Sequence, residues 1–412
     1  MRFRDTAFSL ALCALLAAPC ALYASDKLGL ELPSWLTADD AYYLEGGIVN
    51  AHLSENISLA GFRSGALQEA LEGEVGNYIP CKAAALLGNA ALQRAFIGAS
   101  NVAFQWAAYP AFYGCEYAVI PGDGRMMAFP QASNTEHAAL AEEVSEGLGD
   151  ASERWPDKRF FGYLATDSHY VAGGPLHSLV SNGVTYGQIQ GSLAMSAQEI
   201  TWVDGSVTYD EFNEMWYKTD HHWKTQGAYL AYQRLADAMG IPDDDRVRPD
   251  FEALEAPLFR GTFARSGLDS DYADEVSYVP TSYFDSLVVE VKGEERSPES
   301  LVHREKYAAG NWDDDPFANH YGEFFHGDYG LMSISDPESK ASGSLLIVAD
   351  SYSNCMEYFF AGSFEKVYVC DPRHYDGTID TILNEYPGVD DVLFLMRDAE
   401  FVSAETLAFL SE

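Results

Sequence analysis

Residues 344–354 read Ser-Leu-Leu-Ile-Val-Ala-Asp-Ser-Tyr-Ser-Asn. Ser344 to Ala349 is a continuous apolar run with no polar alternation, which is how a strand covered on both faces reads. It ends abruptly on Asp350-Ser351, and the spacing from Ser351 to about Phe360 predicts a helix. Downstream the pattern repeats. Lys366 to Cys370 reads as a strand, Gly377 to Tyr386 as a helix with Ile379, Ile382 and Leu383 inward, Asp391 to Met396 as a strand, and Ser403 to Leu410 as a last helix. Strands alternating with helices in this way build a parallel, doubly wound sheet. The fold class is therefore α/β, a three-layer α/β/α domain with a mainly parallel sheet.

Upstream, Lys158 to Thr166 is a further buried strand candidate, followed by Asp167-Ser168-His169, which reads as polar caps on a loop. Gln198 to Asp204 and Glu214 to Thr219 read as short strands. A helix follows from about Ala228 to Met239, closed by Gly240 as a left-handed cap. Asn134 caps a helix running to Leu148, helical spacing covers Leu59 to Ile97 with a break near Pro80, and Glu116 to Pro130 reads as a hairpin. Between about Pro242 and Gly343 the periodicity fades, and this stretch reads as an irregular insertion on one domain.

Two short stretches carry chemistry. Lys218-Thr219-Asp220-His221-His222-Trp223 supplies an imidazole and a carboxylate, and Asp350-Ser351 supplies a hydroxyl at the C-terminal end of a strand. A serine nucleophile needs a base, and the base needs a third group to hold its tautomer. Asp220 and His222 lie two apart, so they share a side of an extended segment, whereas His221 faces away and reads as structural. Ser351 taken alone is most often an N-cap; with the Asp/His stretch, nucleophile is the better reading. The N–H groups of Ser351 and Tyr352 are the expected oxyanion donors. Arg373 and Tyr375, after the next strand, are candidates to reach an oxyanion or a substrate hydroxyl, with an Arg–Asp surface pair and a packed ring as the alternative. Gly261 lies in a glycine-bearing loop, Phe259-Arg260-Gly261-Thr262, and Trp223 reads as core or as a platform for a sugar ring. A zinc or iron site on Asp220, His221 and His222 ranks lower, because a third or fourth converging ligand is not evident. No cofactor and no metal is expected.

The chain has 412 residues, 47% of them hydrophobic, with a formal charge of −38. That charge repels phosphate backbones, so nucleic acid is a poor partner. Arg2 and Arg4 precede an apolar run from Ala7 to Ala24, a secretory signal or an uncleaved N-terminal anchor. The organisation expected is thus a leader over 1–24 and a single domain over 25–412, with membrane contact only through the N-terminal segment. Of the six cysteines, Cys13 and Cys20 lie in the leader. Proximity favours Cys81–Cys115 and Cys355–Cys370 pairs, with buried free thiols as the competitor.

Tyr217-Lys218-Thr219-Asp220-His221-His222-Trp223-Lys224-Thr225-Gln226-Gly227-Ala228-Tyr229 resembles the signature of the bacterial DHHW protein family. Val348 to Asn354 and Val369 to Tyr375 resemble its second and third motifs. That family is similar to the alginate O-acetylation proteins of the AlgJ/AlgX class. The resemblance implies an SGNH-hydrolase-like fold, with Asp220 and His222 as charge partner and base and Ser351 as nucleophile. Ala349 stands where glycine is frequent, Asp328 stands in a Gly-Asn-like loop, and no obvious carbohydrate-binding module follows. The function expected is an extracytoplasmic serine-dependent O-acetyltransferase or acetylesterase acting on a cell-envelope polysaccharide. Its partners would be a glycan acceptor and, by resemblance, a membrane O-acyltransferase that supplies acetyl groups. A non-catalytic glycan-binding protein and a metal-dependent hydrolase are the alternatives.

Overall fold

The structure is a computed structural model that describes residues 2–37, 41, 44, 48–49, 51–104, 111–112, 117–119, 124–128, 134–174, 176, 183–304, 317 and 320–411. Contacts gather them into two compact units. The first comprises the described residues of 1–115, 264–271 and 313–318; the second comprises those of 116–263, 272–312 and 319–412.

The first unit is helical. Arg2–Lys27 forms one helix, long and apolar enough over Phe8–Lys27 to cross a membrane. Leu59–Ser64, Ala66–Gly76 and Lys82–Phe104 take up the helical spacing read from the sequence, and Pro80 falls in the break before the last of them. A small core of Ala41, Leu44, Ala83, Leu268 and Phe317 holds the unit. Arg94 Nη1 pins the returning segment by donating to the carbonyls of Gly267 and Leu268 at 2.8 and 2.9 Å.

The second unit is built on an eight-stranded sheet in the order Thr201–Val203, Arg159–Leu164, Val389–Met396, Ser344–Ala349, Lys366–Cys370, Met332–Ser335, Val288–Val291, Glu294–Arg296. The first five strands are parallel and the last three join antiparallel. The irregular stretch after Pro242 thus contributes three edge strands to the same sheet. Its remaining strands, Glu252–Phe259 and Asp274–Tyr278, pair with each other.

Alternate residues of the parallel strands face two helical layers. Phe160, Leu164, Leu346, Val348, Val392, Phe394 and Met396 pack with helices Thr135–Arg154, Tyr186–Leu193, Ile379–Glu385 and Ala404–Leu410. Phe161, Tyr163, Leu345, Ile347, Leu393 and Leu395 are buried on the other face. There the Tyr163 ring meets Trp223 at 6.2 Å, just before helix Thr225–Met239. Each buried large side chain contributes roughly 1.5–3 kcal/mol. Ser344–Ala349 is an inner strand of the parallel part, between Val389–Met396 and Lys366–Cys370. The chain leaves it for Lys366–Cys370 on one side and returns as Val389–Met396 on the other. Such a reversal opens a crevice at the carboxyl ends of the strands, and Ser351 lies there.

Most elements follow their local signals. Asn134 accepts the Glu136 N–H at 3.0 Å and starts a helix that runs to Arg154. Gly240 closes Thr225–Met239 at φ 76°, a conformation cheap only for glycine. Tyr117–Val119 pairs with Met126–Ala128 as the hairpin reading required, residues 120–123 between them lying outside the described residues.

Three expectations are corrected. Glu214–Thr219 is not a strand, because residues Tyr209–Met215 are helical. Thr208 Oγ1 accepts from Glu211 N–H (3.2 Å) and the Glu211 carboxylate accepts from Thr208 N–H (2.8 Å), a capping box that starts a helix here. Ser351 to Phe360 is not one α-helix but two 3₁₀ turns, Ser351–Cys355 and Glu357–Phe360. The Trp223 indole N–H takes the Tyr352 carbonyl at 2.9 Å. An α-helix would give that carbonyl to the N–H of Met356, which instead reaches Ser353 O at 2.8 Å. Finally, Cys355 and Cys370 are both buried free thiols. Cys370 points into the core under Ile379–Glu385, to which Cys355 does not belong. Burial pushes the Cys355 thiol up to about 12 and Cys370 well above its usual value, so both are chemically quiet. Cys81 is an exposed free thiol and Cys115 lies outside the described residues.

Candidate active site

Asp220, His221 and His222 lie in a loop between helices Tyr209–Met215 and Thr225–Met239. The loop is closed by an antiparallel bridge between Trp216 and Trp223 and by hydrogen bonds from Tyr217 N–H to His222 O (3.2 Å) and Lys224 N–H to Met215 O (2.7 Å). Fully buried Arg125 fastens it from below. Its guanidinium donates to the carbonyls of Tyr217 (2.9 Å), Asn213 (2.9 Å) and Trp216 (3.2 Å). Trp223 is 1% exposed and wedged between Trp216 and Tyr352. It is core and offers no face to a sugar.

The structure brings Asp220, His222 and Ser351 together. His222 Nδ1 is 2.6 Å from Asp220 Oδ1, and His222 Nε2 is 2.8 Å from Ser351 Oγ. Burial alone would raise the Asp220 carboxyl. The neighbouring His221 and His222 and the N–H donors around it overcome that and hold it well below the usual carboxylate range. Those donors are His222 N–H on Oδ1 (2.9 Å) and Thr262 N–H on Oδ2 (2.6 Å). An ionised Asp220 only accepts, so Nδ1 carries the His222 proton and Nε2 presents its lone pair to the Ser351 hydroxyl. That is the tautomer a general base needs.

His221 does not face away. With no strand here, the two imidazoles lie side by side, ring centroids 4.0 Å apart. Burial pushes His221 down to about 3, so it is neutral near pH 7. Its carbonyl accepts the Tyr352 hydroxyl at 2.5 Å. Although the ligand atoms of Asp220, His221 and His222 lie within 4.8 Å of one another, both Asp220 oxygens accept hydrogen bonds and both His222 nitrogens are engaged. That donor set is arranged for proton transfer rather than for ligation.

The expected oxyanion and substrate groups are placed differently. Tyr352 N–H donates to Asp350 Oδ1 at 2.9 Å, which takes it out of the expected pair with Ser351 N–H, and its side chain is fully buried. Arg373 forms ion pairs with Asp371 (2.6 Å) and Asp328 (3.0 Å), and Asp328 in turn accepts from Asn354 Nδ2 at 2.9 Å. The Tyr375 ring packs edge-on against Phe409, centroids 6.2 Å apart. Gly261 donates its N–H to Thr219 Oγ1 at 3.0 Å. Its role is steric, because a Cβ there would sit 2.2 Å from Asp220 Cβ and 2.5 Å from Oδ2. Only glycine lets this backbone lie against the carboxylate and aim Thr262 N–H at it.

Several contacts around the site carried no signal in the sequence. Asp274, buried, accepts from Lys218 N–H (2.8 Å), Thr219 N–H (2.8 Å) and Thr219 Oγ1 (2.7 Å), which fixes the residue that in turn holds Gly261. Asp350 accepts Arg397 N–H at 3.0 Å as well as Tyr352 N–H. Burial and the nearby Glu400 nevertheless push it up to about 7. Tyr321, from the stretch that resisted reading, lays its ring on His222, with centroids 3.9 Å apart and planes 10° from parallel. Beneath Ser353, the carboxylate of Glu357 pairs with His326 at 2.8 Å, both fully buried.

This geometry and topology can be set beside known structures. A DHHW family protein from Eubacterium siraeum superposes with a TM-score of 0.55 at 21% identity, covering 71% of this chain and 94% of that one. Bacillus cereus PatB1, in a structure with a sulfonyl adduct, superposes at 0.54 and 18%, covering 70% of this chain and 98% of that one. The fold is theirs. The likeness to a DHHW protein bears out the resemblance carried by Asp220-His221-His222-Trp223. The O-acetyltransferase domain of Pseudomonas putida AlgJ superposes at 0.38 and 11% identity over 71% of this chain and 98% of that one, too slight a likeness to argue from. No family model and no curated protein matches the chain.

Proposed function

We propose that the protein is a serine-dependent acyl-ester enzyme that moves acetyl groups on a cell-envelope glycan. One observation carries this reading: the unbroken line Asp220 Oδ1–His222 Nδ1, His222 Nε2–Ser351 Oγ, at 2.6 and 2.8 Å, with Ser351 part-exposed at the carboxyl edge of a parallel sheet. His222 Nε2 takes the hydroxyl proton as Ser351 Oγ bonds to the acetyl carbonyl carbon. The tetrahedral intermediate expels the donor alcohol, which leaves with that proton, and acetyl-Ser351 remains. An acceptor hydroxyl then gives its proton to His222 and attacks the acetyl carbon, and Ser351 leaves as its hydroxyl, reprotonated by His222. Transfer to a sugar hydroxyl makes an O-acetyltransferase; transfer to water makes an esterase.

The fold shared with PatB1 and the DHHW protein supports this chemistry. The apolar helix behind Arg2 and Arg4 supports an extracytoplasmic location, where an envelope glycan is the acceptor and a membrane O-acyltransferase the donor. Acetyl release from a chromogenic acetyl ester tests it, comparing the intact protein with Ser351→Ala. Loss of at least a hundredfold in the variant is expected; equal rates would remove Ser351 from the reaction.

A further inference from the structure

The His222 ring is held from two sides. Tyr321 stacks on it at 3.9 Å and 10°, and His221 at 4.0 Å and 35°. Two rings centred 3.9 and 4.0 Å from the same imidazole cannot share one face of it without overlapping, so His222 lies between them. Tyr321 is buried. Its own ring is fixed by Phe325 at 4.9 Å and Phe259 at 6.5 Å, and its hydroxyl donates to the Ser351 carbonyl at 3.3 Å. One side chain therefore touches both the base and the backbone of the nucleophile.

Resting on the serine mechanism above, we infer that Tyr321 is a positioning residue whose aromatic face holds His222 on the Ser351 hydroxyl and stabilises the imidazolium formed when Ser351 gives up its proton. The charge appears only as the bond to the acyl carbon forms. A π face is attracted to a cation far more than to a neutral ring, so the attraction strengthens on the way to the transition state and acts on turnover rather than on substrate binding. His221 fits the opposite side because it stays neutral. A second cation there would repel the imidazolium, whereas a neutral ring only confines it.

The test compares Tyr321→Phe, Tyr321→Leu and Tyr321→Met with the intact protein and with Ser351→Ala. Two rates are read, turnover of a chromogenic acetyl ester and covalent capture of Ser351 by an aryl sulfonyl fluoride followed by mass. Melting curves accompany both. Tyr321→Phe keeps the ring and is expected within about threefold of the intact protein. The Leu and Met variants are expected to lose roughly tenfold to thirtyfold in kcat and in capture rate, with KM unchanged. A role confined to holding the fold would lower the melting temperature without this split between kcat and KM. The inference is overturned if Leu or Met keeps kcat, if the loss lies in KM, or if the Phe variant falls as far as Leu, which would assign the effect to the hydroxyl. If Leu and Met do not fold, pentafluorophenylalanine at 321 takes their place, since it keeps the ring's shape but not its attraction for a cation: the same loss in kcat and capture rate is expected, and an unchanged kcat overturns the inference. An intact protein that neither turns over nor is captured at Ser351 overturns the serine mechanism itself. Ser351→Ala inactive beside an unimpaired Tyr321→Leu overturns only the role of Tyr321.

Discussion

Gly261→Ala adds one methyl group at a place where the structure has no room. The new Cβ would lie 2.2 Å from Asp220 Cβ, 2.5 Å from Oδ2 and 2.7 Å from Cα. None of these is the far end of a flexible chain, so either the loop at 261 or Asp220 must move by about an ångström. Moving the loop withdraws Thr262 N–H from Oδ2 and Gly261 N–H from Thr219 Oγ1. Moving Asp220 breaks the 2.6 Å contact to His222 Nδ1. A hydrogen bond to a charged group contributes about 1.5–3 kcal/mol, and overpacking costs about 1–3 kcal/mol. If the first term falls wholly on orientation of His222, kcat drops by roughly tenfold to a hundred and fiftyfold. The melting temperature falls by about 2–8 °C through the second term. Ester turnover and a thermal melt on the same preparation read both. A folded Gly261→Ala protein with kcat within threefold of the parent would refute the claim that this contact aims the carboxylate.

Asp220→Asn is expected to cost kcat about a thousandfold to ten-thousandfold. An amide must oppose its NH₂ to either Thr262 N–H or the His222 donors, which favours the wrong imidazole tautomer; steady-state kinetics with the fold checked by circular dichroism measure this. Because Asp220 is held low in the folded protein, its contribution to stability is complete above its unfolded value of about 4 and is lost only as pH falls through the depressed one. Melting curves of the intact protein and the Asn variant are therefore expected to converge only in strong acid. The buried His326–Glu357 pair behaves in the opposite sense. For His326, burial lowers the imidazole but Glu357 outweighs it, and for Glu357 burial outweighs His326, so both are raised in the folded protein. A raised group stabilises below its unfolded pKa and loses that stabilisation as pH rises through the folded one. Removing one partner leaves a buried charge: His326→Ala is expected to destabilise by about 3–5 kcal/mol at pH 7, measured by urea unfolding. A milder pH dependence in a His326→Gln, Glu357→Gln double variant would tie the effect to the pair.

Local signals were enough for much of this protein. The apolar run Ser344–Ala349, the alternation of strands and helices after it, the Asn134 and Gly240 caps, and the choice of Asp220, His222 and Ser351 were all legible in the sequence. Burial on both faces, capping and the chemistry of a base with its orienting acid are properties of neighbouring residues or of residue type. The Thr208/Glu211 capping box was equally legible, and weighing it would have removed the false strand at Glu214–Thr219. What only the tertiary structure decided concerns space and the final partner of each polar group. No spacing shows that Trp223 claims the Tyr352 carbonyl, that Asp350 claims the Tyr352 N–H, or that Gly261 is a glycine because Asp220 lies 2.2 Å from where its Cβ would be. Nor does any periodicity place Tyr321 on His222, since a ring stack between segments far apart in the chain exists only in the folded protein. The physical reason is the same in each case. A hydrogen-bond donor is used once, and a volume is filled once, and the fold alone determines which distant residue arrives to use it.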